Sequence, residues 1–166
     1  MRSRVRSFIA ATAVAVAAVT GGVVAAAPAG AAPPPRNLPK LSIWSDIIST
    51  VGDHDFCRGA FRVGLSSPKR GVTRLTLVSS GFTGNGGGWK RNPRCSFAVG
   101  IYNSNGLITL SEKYFTTSFG SRRGEITTQE IVTGSGLRTL GVGTYAVRTP
   151  VRLPQSYPAS LTYIAP

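Results

Sequence analysis

The chain has 166 residues, with 19 Lys and Arg against 6 Asp and Glu, one His and two Cys. A hydrophobic fraction of 42% beside 15% charged residues excludes a disordered chain, and the length is that of one domain. One His and six carboxylates leave few parts for acid–base or metal chemistry, so no catalytic group, metal site or cofactor is expected.

Arg2, Arg4 and Arg6 open the chain, an Ala- and Val-rich run follows from Phe8 to Ala27, and Ala29-Gly30-Ala31 is a small-residue cleavage pattern. That order is a secretory signal, so residues 1–31 are expected to be removed on export. The run is long enough to span a membrane, and an uncleaved anchor is the alternative. Its weak, Ala-dominated hydrophobicity and its stop at Pro28 and Gly30 favour cleavage. No consecutive arginine pair serves the twin-arginine route, and no Cys precedes Cys57 to carry a lipid. Removing the three arginines leaves 16 basic residues against six acidic, a net charge of +10, and no second apolar span.

Residues 32–40, with Pro33, Pro34, Pro35 and Pro39, have the composition of a stiff, extended leader to a single β domain over 41–166. Leu41, Trp44, Ile47, Ile48 and Val51 recur at three- and four-residue steps, which predicts a short N-terminal helix over the end of a sheet.

From Cys57 the period becomes two. Strands are expected near 57–65, 72–80, 94–103, 107–116, 125–133, 142–148 and 159–165. In the first, Cys57, Gly59, Phe61, Val63 and Leu65 alternate with Arg58, Ala60 and Arg62, one face for a core and one for water. Asn105-Gly106 predicts a type I′ hairpin that sets Ile101 opposite Leu110 and Phe97 opposite Tyr114. Seven short strands with turns at this spacing predict an all-β, antiparallel, seven-stranded sandwich of the immunoglobulin-like kind, with a small β-barrel as second choice.

In an oxidising compartment Cys57 and Cys95 are expected to form one disulfide. Closing the loop between them contributes about 4 kcal/mol in the chain-entropy model. Both cysteines begin odd-numbered strands, so both fall at one end of an antiparallel fold. The loops after the second, fourth and sixth strands share that end. They carry Trp89, Lys90, Arg91, Arg94, Arg122, Arg123 and Arg152, whereas Lys69, Arg70 and Arg138 belong to the other.

Residues 81–94, Gly-Phe-Thr-Gly-Asn-Gly-Gly-Gly-Trp-Lys-Arg-Asn-Pro-Arg, form the most unusual stretch. They are not a phosphate loop: Trp89 stands where the final glycine of a Walker motif belongs, and Arg91 replaces its hydroxyl residue. The segment either presents amides, cations and an aromatic face to an anionic or sugar-bearing ligand, or it is a wide connection in which Trp89 caps the core. Trp89, Lys90, Arg91, Arg94, Arg122 and Arg123 are the candidate ligand-binding residues. Asp53-His54-Asp55 is read as an acidic loop, since neighbours in an extended chain point to opposite sides. Among Glu112, Glu125 and Glu130, Glu112 is the best candidate for a hydrolase carboxylate, being in line with Leu110 and Tyr114.

The segments Phe56-Cys57-x-Gly59, Gly81-Phe82-x-Gly84, Trp89-x-x-Asn92-Pro93-x-Cys95 and Thr133-Gly134-Ser135-Gly136-Leu137, behind an Ala-Val signal and a proline leader, resemble those of small exported single-disulfide β proteins of actinobacteria. The resemblance implies export and a β fold, and brings no activity or catalytic residues.

The expected function is therefore a secreted, non-enzymatic binding domain acting at the cell envelope or beyond it, touching an anionic partner through basic loops at one end. That partner is an acidic envelope polymer, a lipid head group or a protein. Nucleic acid is disfavoured, because the cations lie in loops while the aromatics alternate inward. The alternatives are a small secreted hydrolase using a carboxylate such as Glu112, or Asp53 with His54, and a secreted effector or inhibitor that binds another protein.

Overall fold

The computed structural model describes residues 36–43 and 45–166; the expected signal, residues 1–31, lies outside them, as do residues 32–35 of the leader and Trp44. The elements are β1 Arg36–Asn37, β2 Lys40–Ile43, β3 Ile47–Val51, β4 Arg58–Lys69, β5 Val72–Thr83, α1 Gly87–Arg91, β6 Arg94–Ser104, β7 Thr109–Gly120, β8 Ile126–Val132, β9 Gly136–Tyr145 and β10 Ala159–Ala165. Strands β4 to β10 overlie the seven expected ones, several of them running longer. The chain is all-β, in two antiparallel sheets. One has the order β4-β5-β8, with β1 and β3 both on the outer edge of β4; the other has the order β2-β10-β9-β6-β7.

Alternation builds the core between the sheets. Phe61, Val63 and Leu65 on β4, with Leu75 and Leu77 on β5, face Phe97, Val99 and Ile101 on β6, Leu140 and Val142 on β9 and Leu161 on β10, all essentially buried. Each such side chain contributes about 1.5–3 kcal/mol by leaving water. At one end Phe61, Phe82, Phe97 and Phe119 meet with ring centroids 5.7–6.2 Å apart. The Cys57–Cys95 disulfide closes that end and ties the two sheets, with Cα atoms 5.6 Å apart. Toward the other end the Thr73 hydroxyl meets those of Thr133 at 2.9 Å and Tyr163 at 3.0 Å, so these three buried hydroxyls satisfy one another.

Two expectations are corrected. The segment 41–51 is not a helix: β2 pairs β10 and β3 pairs β4, and in β3 only Ile48 and Thr50 turn inward. The helical spacing of Leu41, Ile47 and Val51 joins residues that are exposed. The β6–β7 connection is not a two-residue turn but a four-residue loop over 105–108. Asn105 Oδ1 accepts the N–H groups of Leu107 (3.0 Å) and Ile108 (3.1 Å), an Asx turn that lengthens the hairpin. Ile101 therefore lies opposite Lys113 and Phe97 opposite Thr117. A shift by an odd number of residues exchanges faces, so Leu110 is exposed and Phe119 is buried.

Candidate functional site

The disulfide end begins with a tight turn. Gly52 N–H donates to Cys57 O (2.8 Å) and Cys57 N–H to His54 O (2.9 Å). Asp55 and Phe56, both at φ 49°, occupy the left-handed region that side chains avoid. Asp53 fastens this turn to the β9–β10 loop: its carboxylate accepts the N–H groups of Val147 (2.6 Å) and Arg148 (3.0 Å) and the Gln155 amide (2.9 Å). Asp55 lies against the glycine-rich segment, where Asn85 N–H donates to its carbonyl at 2.7 Å. Its carboxylate fills the space that a side chain on Gly88 would need.

Trp89, in the single-turn α1, is half-buried against the core, with its indole on the α-carbon of Gly84 and edge-on to His54 at 6.1 Å. Its packing is that of a cap. Lys90 and Arg91 follow it and are exposed, as are Arg122 and Arg123 in the β7–β8 turn. Arg94 is engaged: it donates to the Ser118 hydroxyl (3.1 Å) and carbonyl (2.7 Å) and pairs with Glu125 at 3.4 Å. Glu125 also accepts Gly120 N–H at 3.2 Å. Asn92, Arg94, Arg122 and Glu125 border a shallow cavity of about 530 Å³.

The fold thus brings the six candidate residues to one end and divides them. Trp89 and Arg94 hold the scaffold. Among the described residues Lys90, Arg91, Arg122 and Arg123 have no carboxylate within pairing distance; the ion pairs there join Lys40 to Asp46, Arg74 to Glu130, Arg94 to Glu125, and His54 to Asp55. Glu112 stands exposed opposite Tyr102 on the outer face of the second sheet, and Glu130 pairs with Arg74. The carboxylates do not converge on one cleft. Among the described residues no three His, Cys, Asp or Glu side chains are grouped to hold a metal.

Two features escaped the sequence reading. Tyr102, Tyr114 and Tyr145 gather on the outer face of the second sheet, the Tyr102 hydroxyl lying 2.5 Å from that of Tyr114 and 2.8 Å from that of Tyr145. The Arg152 guanidinium covers the Tyr114 ring at 3.8 Å. Burial, and then the hydrogen bonds of its two neighbours, push the Tyr102 hydroxyl well above its ordinary range. Three tyrosines on alternating, outward positions were the available signal, but the β6–β7 register was needed to join them. The second feature is a cavity of about 860 Å³ beside β3, which a helical reading of that segment hides.

No family model, curated protein or solved structure matches this chain.

Proposed function

We propose that this protein is an exported binding domain whose disulfide end grips a polyanion of the cell envelope. The observation that carries the reading is the set of four exposed cations, Lys90, Arg91, Arg122 and Arg123, unpartnered among the described residues, on loops anchored by backbone hydrogen bonds and the Arg94–Glu125 pair. Mutual repulsion on one small surface is a cost that an anionic partner removes. Preorganised loops also lose little entropy when they bind. The disulfide is compatible with an extracellular protein, and among the described residues no helix is long and apolar enough to cross a membrane.

The scaffold fits this use. With β1, β2 and β3 set aside, the strand orders β4-β5-β8 and β10-β9-β6-β7 support an immunoglobulin-like reading of the sandwich, with its fourth strand in the second sheet and binding loops at its ends. Co-sedimentation with envelopes of the producing cell tests the reading. Binding at low salt that is released at high salt, and is lost when Lys90, Arg91, Arg122 and Arg123 are all changed to Gln, supports it. Binding indifferent to salt and to those changes overturns it.

A further inference from the structure

Strand β3 is an outer strand of its sheet: among the described residues it pairs β4 and no strand on its other side. Val63 N–H donates to Asp46 O and Gly52 N–H to Cys57 O, each at 2.8 Å, which fixes the phase of this antiparallel ladder. Ile48 and Thr50 therefore direct their backbone groups at β4, while Ile47, Ser49 and Val51 direct theirs outward. Ser45 Oγ takes the Ile47 N–H at 3.0 Å, and the Thr50 hydroxyl donates to Val51 O at 2.9 Å. The N–H and C=O of Ser49, the C=O of Ile47 and the N–H of Val51 have no partner among the described residues.

Folded proteins usually blunt such an edge with charge, proline or a bulge. Here β2 carries Lys40, β7 carries Glu112 and Lys113, and β8 carries Glu130, but β3 reads Ile-Ile-Ser-Thr-Val, β-favouring and uncharged. Space is available beside it. The cavity of about 860 Å³ and a second of about 630 Å³ adjoin the strand, and Ser49 and Tyr157 line both. Gly59, Ala60, Ser80 and Gly81 keep the first open, and Tyr157 is 96% exposed. On β4, Arg62 lies opposite Ile47 and Arg58 opposite Val51; both are exposed and neither has a carboxylate partner among the described residues.

We propose that β3 is a docking edge that takes an extended, acidic peptide segment as a further antiparallel strand. Ser49 and Val51 give it backbone hydrogen bonds, the apolar side chains of Ile47 and Val51 contact its alternate residues, and Arg58 and Arg62 select acidic ones. A second copy of this chain would fit the hydrogen-bonding pattern in a two-fold pair about Ser49. It would also bring together two sets of Arg58 and Arg62 on a protein of net charge +13, and repulsion disfavours it. The edge runs up to the disulfide end, where Arg58 follows Cys57 and Gly81 of the first cavity adjoins Arg123. Its backbone groups are nonetheless distinct from the four cations, so protection of Ser49 and Val51 separates this reading from the proposed envelope binding.

The test titrates the disulfide-intact protein with a short labelled peptide alternating Val and Glu, and with its Val-Lys counterpart. Amide hydrogen exchange is followed in the unmodified chain. The expected result is that only the Glu peptide binds, slowing exchange at Ser49 and Val51 by about tenfold or more. Ser49→Pro removes one outward N–H, at a position where an edge strand tolerates proline, and is expected to weaken binding by about tenfold. Arg58→Glu with Arg62→Glu transfers the preference to the Lys peptide. Absence of binding, or binding without protection of Ser49 and Val51, overturns the proposal. Protection that instead rises with protein concentration alone overturns it in favour of a second copy.

Discussion

The indole of Trp89 rests on the α-carbon of Gly84, at a separation no side chain could share. This contact explains why a glycine-rich stretch stands beside a tryptophan in a connection that is otherwise exposed. It also ties the cations at 90 and 91 to the core through their neighbour. Gly84→Ala is expected to lift the ring and to lower stability by about 1–3 kcal/mol. In a Trp44→Phe background the emission of Trp89 should then shift to the red, and a urea titration measures the loss.

Arg94 and the four unpartnered cations should separate in experiment. Arg94→Gln removes a half-exposed ion pair and two bonds to Ser118. It is expected to lower stability by about 1 kcal/mol and to leave envelope binding little changed. Lys90→Gln with Arg91→Gln should do the reverse. Thermal unfolding and co-sedimentation on the same preparations decide between them.

The disulfide closes the end where four phenylalanines meet. Replacing Cys57 and Cys95 by Ala is expected to lower stability by about 2–5 kcal/mol. Envelope binding should weaken as well, because the turn carrying Asp55 no longer fixes the glycine-rich segment. Denaturant titration and co-sedimentation provide the two readouts.

The tyrosine cluster predicts an alkaline weakness. Burial holds the Tyr102 hydroxyl above its ordinary value of 10, and burial also raises Tyr163. The unfolded chain releases these protons near pH 10 while the folded one keeps them, so stability is intact below pH 10 and falls as the pH rises beyond it. Urea midpoints measured across that range should decline, and Tyr102→Phe should flatten the decline.

Some of this was legible in the sequence. Phe61, Val63 and Leu65 announce β4 by alternation alone, and counting reversals of direction placed Cys57 near Cys95 and gathered the cations at one end. That reasoning needs only strand number, not register. Strand β3 was illegible because Ile47 and Val51, whose spacing suggested a helix, lie on its exposed side, and its pairing with β4 is not local. The β6–β7 register was missed because Asn105-Gly106 is a sound local signal for a shorter turn. What overrides it is the inward set of Thr117 and Phe119, together with the Asn105 side chain taking two N–H groups. Tyr102, Tyr114 and Tyr145 could not be assembled without that register.

The central claim is tested most directly by two variants of equal charge. One has Lys90, Arg91, Arg122 and Arg123 changed to Gln; the other has Arg62, Lys69, Arg70 and Lys113 changed to Gln, away from the disulfide end. Co-sedimentation with envelopes is measured against salt concentration for both and for the unmodified protein. The predicted result is that the first variant loses both binding and its salt dependence, while the second keeps most of each. Equal losses in the two variants would mean that net charge alone drives association, and would contradict a defined binding end.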